Sequence, residues 1–449
     1  MVQNRQNQRG FAATAVAMVL LFTMTVLAFF TGRSMLFEQR TSANQTRATR
    51  AFEAADAGIE WAIGRLNDRR VMANAATTCV PVGTAGSSFR DRYVPSSVAA
   101  GVTTFNPTAD RPGCTITAAG VNCNCPAAGN AALNGNNPTF TVTFDNNGIS
   151  DPESVRITSY GCTSAGSQCV PGAATAADGY SRITIVAKVR PVVRSAPAAA
   201  LTTGGWAQVC SSFNISNVDQ GSNGNLVNSG GAIELGTDYG SIAQNAPSGP
   251  PPNGNCGGHV TVDCSNNQAL CLSTVPGTPY QNAVVSNDSS LSSLSGNSDA
   301  MFSAFFGMTI AAYKSAPTTY VITSNNGSTN ASILQNAYAL GYTSFWIEGP
   351  LTISNNTVLG TTAKPVMIAS SGTLSLPNGN STIVGLVYSD NADFNQNGSG
   401  NSTITGAVIT RVNYTNNGNG SITYDPSVFR NLRDDSGVFV RVPGSWRDF

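Results

Sequence analysis

From Phe11 to Thr31 the chain carries no charged residue, and beyond that point its apolar positions become one-sided. About twenty apolar residues, rising 1.5 Å each, cross a bilayer as a helix. Gly32 and Arg33 follow, but the sequence past them is still helix-compatible, and one glycine weakens a helix without ending it. In AFEAADAGIEWAIGRL (51–66), Phe52, Ala55, Ile59, Ala62 and Leu66 recur at i, i+3/i+4 and make one stripe. Glu53, Asp56 and Glu60 make a polar face. The pattern predicts one helix from Phe11 to about Leu66, on the order of 80 Å long. Its first half is apolar all round and its second half is a docking surface.

After residue 70 the period changes to two. TFTVTF (139–144) and SRITIVAKVRPVV (181–193) read as strands, with YGCTSAGSQCVPG between them as a loop. A small sheet packed on the helix stripe is the natural partner for it. Pro191, Pro197 and SAPAAA mark a boundary near residue 196. Beyond it short β segments recur, from residue 350 every 15–25 residues, with Asn/Gly/Ser corners such as NNGNG. Asn and Gly tolerate the left-handed turns that coil corners need. Ile383, Val384 and the run Ala407, Val408, Ile409 would fill the interior of stacked coils.

The expected fold is therefore α+β and mainly β. It comprises a long N-terminal helix (11–70, after a leader of 1–10) and a small cysteine-containing β domain (71–195). A right-handed parallel β-helix (196–449) follows, with a hairpin-rich β-sandwich as the alternative. Residues 288–341 interrupt the coils: Met301, Phe302, Phe305, Phe306 and Met308 fall at roughly helical spacing, and NASILQNAYALG resembles a second helix. Such a cluster reads as the packed face of an inserted helix rather than a ligand groove.

Only 11% of the residues are charged and the formal net charge is zero, so no basic excess points to nucleic acid. Solubility must come from Asn, Ser, Thr and Gly, as on exported β-proteins. The ten cysteines, Cys79, Cys114, Cys123, Cys125, Cys162, Cys169, Cys210, Cys256, Cys264 and Cys271, form an even set in loop-rich sequence. Downstream of a membrane segment this predicts disulfides. Cys162 and Cys169 can close a small loop, while Cys123 and Cys125 should reach different partners. Cys256, His259, Cys264 and Cys271 superficially match a zinc knuckle, but spacing and ligand order fit poorly. No metal or cofactor is expected.

Catalysis lacks a constellation. Asp390 and Asp393 are the best local carboxylate pair and have no evident basic partner nearby in sequence. DQGSNGN (219–225) lacks the carboxylates of a calcium loop. There is no G-x-S-x-G, H-E-x-x-H or phosphate-binding loop. No catalytic residue is expected.

Arg5 and Arg9 precede the apolar run and no acidic residue does, which places the N-terminus in the cytoplasm. The run is longer than a secretory signal core and lacks its usual exit. The leader ending in QRG, the uninterrupted FAATAVAMVLLFTMTVLAFF and the segment AFEAADAGIEWA resemble the PilX-like minor pilins of type IV pili. FWIEGPLTI, GLVYSD, YDPSVFRNL and the terminal GSWRDF also look like segments of that family, so the resemblance covers the first sixty residues and most of the last 250. It implies cleavage between Gly10 and Phe11 by a prepilin peptidase and methylation of Phe11. It also implies residence in the inner membrane as a single-pass precursor, then assembly with major and minor pilins into a surface fibre.

Phe52, Ala55, Ile59, Ala62 and Leu66 would then serve subunit packing. Ala15 departs from the family, whose fifth mature residue is usually glutamate, and suggests a tip position. The reading is a structural minor pilin exposing a solenoid for contact with a surface, a carbohydrate or a partner. A pilus adhesin, a type II secretion pseudopilin and a membrane-tethered carbohydrate enzyme are the alternatives. Trp446 with Phe449 reads as an apolar cap on the solenoid end.

Overall fold

The computed structural model describes residues 7–73, 78–81, 86–99, 102–133, 136–164, 169, 179–209, 213–217, 219, 221–222, 224–235, 284–353, 356–377, 379–390, 394–396, 401–416 and 419–448. Helix α1 (Asn7–Leu66) is continuous through Gly32 and stops where the apolar period stops. It contains no proline, and alanine is frequent in its second half.

Two short antiparallel pairs follow: β1 (Val71–Ala73) with β2 (Gly86–Ser88), and β3 (Ser96–Ala99) with β4 (Val102–Phe105). The one-turn helix α2 (Phe89–Tyr93) lies between them. β5 (Gly113–Thr117), β6 (Gly120–Asn124), β7 (Thr139–Asp145), β8 (Ser154–Cys162) and β9 (Tyr180–Arg190) then build an antiparallel sheet. The alternating positions Ile183, Ile185, Ala187 and Val189 of β9 face the core with Val142, Val155 and Ile157. Disulfides join Cys79 to Cys125, Cys114 to Cys123 across the β5–β6 hairpin, and Cys162 to Cys169. The small loop and the divergence of Cys123 and Cys125 are as expected. Cys210, Cys256, Cys264, Cys271 and His259 lie outside the described residues.

The chain then enters a stack of coils. β10 (Leu201–Thr203), β11 (Ala207–Val209) and β12 (Phe213–Asn217) form one coil. β13 (Val227–Ser229) and β14 (Ile233–Leu235) lie on the next, and β15 (Val284–Val285) beyond it. Helices α3 (Ser289–Ser295), α4 (Ser298–Phe306) and α5 (Ile310–Ser315) lead to β16 (Thr319–Ile322), α6 (Gly327–Ala339) and β17 (Ser344–Ile347). β18 (Leu351–Thr352), β19 (Val358–Leu359), β20 (Val366–Ser370), β21 (Leu374–Ser375), β22 (Thr382–Ser389) and β23 (Phe394–Gln396) come next. β24 (Ser402–Thr410), β25 (Tyr414–Asn416) and β26 (Gly420–Tyr424) complete the coils.

Every pairing in this stack is parallel. The principal sheet runs β15-β13-β10-β24-β22-β20-β17-β16, so the chain joins the stack in its interior. It climbs to β15, drops to the opposite end at β16, and climbs again until β24, β25 and β26 meet β10, β11 and β12. Inside, Phe345, Ile368, Val387, Val408, Leu201 and Val227 form one buried ladder. The side chains two residues on include Ser370, Ser389, Thr410, Thr203 and Ser229, a buried hydroxyl ladder at the corner. Ser370 and Ser229 donate to backbone carbonyls there, and Thr203 donates to the Gly205 carbonyl, so most of this buried corner is paired while the Thr410 hydroxyl has no partner among the described residues.

The helices α3 to α5 carry the chain along the stack. Phe302 and Phe306 pack against Tyr388, and Phe302 also against Trp346, on the outer side of the principal sheet. The aromatic and methionine cluster is core, as expected, with Met301, Phe302 and Phe306 buried and Phe305 and Met308 packed beside them.

Two expectations are corrected at the C-terminus. After α7 (Pro426–Asp435), β27 (Val438–Arg441) pairs with β9, with Val438 opposite Arg190. The last strand therefore belongs to the first sheet, ordered β27-β9-β8-β7-β5-β6, and residues 191–437 are an insertion between two neighbouring strands. Trp446 does not cap the coils. It meets Phe52 of α1 edge-on at 6.2 Å, while Arg447 bridges to Thr184. Phe449 is outside the described residues. An edge strand with unpaired backbone groups is the better place for a chain end with alternating apolar residues.

Candidate functional site

Every residue of α1 from 12 to 50 is exposed, whereas Ala51, Ala54, Ala55, Ile59, Ala62 and Leu66 are at most 1% exposed. The bare part presents Val16, Leu20, Leu21, Phe22, Met24, Leu27, Phe29 and Phe30 among other large apolar side chains. Such a surface is stable only in lipid or against other apolar helices. Its hydroxyls are already satisfied: Thr23, Thr25 and Thr31 donate to carbonyls one turn back, at 2.7–2.9 Å. In hydrocarbon an unpaired hydroxyl costs several kcal/mol, about the price of an unsatisfied polar group. Ala15 is exposed, and no acidic residue stands in the first turn. Gly10 and Phe11 lie within the helix.

The buried part reassigns the predicted stripe. Ala55, Ile59, Ala62 and Leu66 pack on this chain's own β7, β8 and β9, so their surface is spent within the molecule and not open to a neighbouring subunit. Phe52 alone remains partly open, at 38% exposure, against Trp446. Trp61 sits between Phe89 and Phe140, with ring centroids 5.3 and 5.6 Å away.

Glycines that sequence reasoning passed over set the depth of docking. A Cβ on Gly161 of β8 would lie 2.1 Å from the Ala51 carbonyl oxygen and 2.4 Å from the Ala55 nitrogen. A Cβ on Gly58 would meet Ser159 Oγ at 2.1 Å and the Phe140 ring. At Gly161 the opposing atoms are backbone, which leaves no room to yield. The small residues Ala51, Ala54, Ala55, Gly58 and Ala62, three or four apart, were the available signal for it.

The end of α1 is tied to the C-terminal strand. Asn67 Nδ2 donates to the Phe439 carbonyl at 3.0 Å and its Oδ1 accepts from the Phe439 N–H at 2.7 Å. Arg441 pairs with Glu60. Asp91 is an ionic node between the sheet-bearing head and the coils, with Arg69 at 3.7 Å and Lys364 at 3.2 Å. Burial alone would raise its carboxyl. The two cations and the Ser88 hydroxyl overcome that and hold it well below the usual carboxylate range. Arg90 donates to the Gly437 carbonyl at 3.0 Å, and Arg433 pairs with Glu153, so head and coils are joined at several points.

The chemically suspect residues are structural where described. Asp390 is buried, accepts from Tyr388 at 2.9 Å and pairs with Arg411 at 3.1 Å, which also donates to the Ser295 carbonyl. The basic partner missing in its sequence neighbourhood thus comes from the next coil. Asp393 lies outside the described residues. Asp219 accepts the Ser222 N–H at 2.7 Å in its own turn. Among the described residues no group of three or more His, Cys, Asp or Glu could hold a metal ion.

Residues 9–60 match the PilX N-terminal family, so the bare rod and the start of its docked half are PilX-like. No curated protein matches the chain. Among solved structures, the competence-associated pilin ComZ from Thermus thermophilus aligns with 12% identity over 90% of this chain and 98% of that one, at a TM-score of 0.22.

Proposed function

We propose that the chain is a structural minor pilin of a type IV pilus, incorporated through α1, promoting assembly at or near the fibre tip and carrying the coils outward. The observation that carries this reading is the abrupt change in α1 at residue 51: a bare apolar rod joined without a break to a head that holds it rigidly. The rod suits first the inner membrane and then the helical interior of a fibre, packed against other major and minor pilins. The PilX-type match over 9–60 supports it. The missing carboxylate at Ala15 and the bulk inserted between β9 and β27 favour an end position, where no further subunit has to stack above. The coils, read as a right-handed parallel β-helix, then face outward for contact with a surface or carbohydrate. No reaction is assigned to the chain.

Co-expression with a prepilin peptidase followed by mass spectrometry of the mature protein tests the class. The expected N-terminus is Phe11, N-methylated, after loss of Met1–Gly10; a mature chain still beginning at Met1 overturns it. Joining Arg190 to Val438 by a short turn removes the coils but keeps the β9–β27 pairing. Fibres that persist without attachment assign contact to the coils, and loss of fibres assigns them to assembly.

A further inference from the structure

A cavity of about 270 Å³ opens where the segment after β9 passes the base of α7. Three arginines line it: Arg194, Arg430 and Arg433. Arg430 and Arg433 stand three apart on one face of α7, whose start is set by the Asp425 cap and Pro426. Arg433 is already paired with Glu153. Among the described residues no carboxylate pairs with Arg194 or Arg430.

The backbone that carries Arg194 is anchored. Its main-chain N–H and that of Ser195 both donate to the Phe305 carbonyl, at 2.9 and 3.1 Å. Its stem lies on Gly307, the left-handed residue that closes α4; a Cβ there would stand 2.9 Å from Arg194 Cδ. Val193, Ala196, Pro426 and Phe429 give the rest of the wall an apolar side, beside Thr103 and Tyr424.

We propose that this cavity is a binding site for an acidic sugar unit, a pyranose ring carrying a carboxylate. The arginines supply planar, charge-assisted donors suited to a carboxylate, and the Val193–Pro426–Phe429 wall suits the apolar face of the ring. Cavities for drug-sized ligands start at about 300 Å³, so this one suits a single ring of a longer glycan. Inorganic phosphate would use the arginines and waste the apolar wall. An acidic peptide would need backbone partners, which the lining residues do not supply as a strand edge. The site gives chemical content to the contact role proposed above and rests on it. The assay nevertheless uses the unassembled chain, so failure to bind and failure to assemble are read separately.

The test is calorimetric titration of the full-length chain in detergent micelles, at fixed salt, with a uronic-acid trisaccharide and a neutral trisaccharide of the same linkage. The acidic sugar is expected to bind at least tenfold more tightly. Arg194→Met and Arg430→Met should each weaken it about tenfold, while Arg430→Lys keeps an intermediate affinity. The Lys variants of both positions serve if a Met variant loses its thermal transition. Equal binding of the two sugars, or binding unchanged in folded Arg194→Met/Arg430→Met protein, overturns the proposal. Displacement by equimolar inorganic phosphate reduces the site to a simple anion site and also overturns it, as does tighter binding of a diglutamate peptide.

Discussion

The two halves of α1 are one helix in two environments. Residues 12–50 are exposed throughout, while 51–66 lose an entire face to β7, β8 and β9. Helix propensity does not separate them: both are rich in alanine and free of proline. What separates them is the size of their side chains against the shape of the partner. The docked half offers Ala51, Ala54, Ala55, Gly58 and Ala62, which let a sheet come to backbone distance, and the bare half offers Leu, Phe and Met, which fill space between helices. The lesson concerns where subunits meet. The stripe that periodicity marks most clearly is consumed within the chain, so the proposed assembly would have to make its subunit contacts through the all-round apolar half.

The comparison breaks most sharply at Gly161. Gly161→Val places a branched side chain into the backbone of α1 at Ala51 and Ala55, and should cost more than about 4 kcal/mol, in the range of severe core overpacking. Thermal unfolding of the full chain in detergent, followed by tryptophan fluorescence through Trp61, should show the head melting without a native transition. A variant as stable as the parent would mean that the docked half does not approach the sheet as described.

A matched pair sharpens the contrast. Ile59→Ala should destabilise the head by about 2–5 kcal/mol, as large-to-small changes in packed cores do. Leu21→Ala in the bare half should leave head stability within about 0.5 kcal/mol and instead reduce the amount of protein recovered in sheared fibres. Equal effects of the two on unfolding would erase the distinction.

The smallest effect concerns pH and acts outside the rod. The folded-state pKa of Asp91 is depressed, so its stabilisation is complete above the unfolded value, near 3.9, and is lost as pH falls through that value toward the folded one. Asp68, lowered by the Arg70 and Arg65 side chains against the opposing effect of burial, adds in the same direction. Unfolding midpoints should be flat from pH 7 to about 5 and fall below about 4. Asp91→Asn should flatten part of that decline. A midpoint that rises on acidification would contradict the ionic node.

Much of the local structure was legible. The end of α1 at Leu66, the strand over 139–144, the strand read over 181–193 (which stops at Arg190, before Pro191), the Cys162–Cys169 loop and the inserted apolar helices all follow from periodicity and short-range spacing. Recurrence of β segments from residue 350 also announced stacking, because each coil repeats the same burial demand. The anchoring of Asp390 was not legible, since Arg411 is its partner only once two coils lie in register.

The sequence by itself determined the elements: an apolar rod, an amphipathic continuation, alternating strands and Asn/Gly corners. Each of these is a property of residues within a few positions of one another. Only the tertiary structure decided which strands are neighbours. Ser216 bonds to Thr423 across 207 residues, closing a seam between the first coils and the last, and β27 returns past the whole stack to pair with β9 and complete the sheet that β5 began. The physical reason is that a strand's pattern states which face must be buried and leaves open which other strand will bury it. That choice belongs to the register in which the largest apolar area and the most backbone hydrogen bonds are satisfied together.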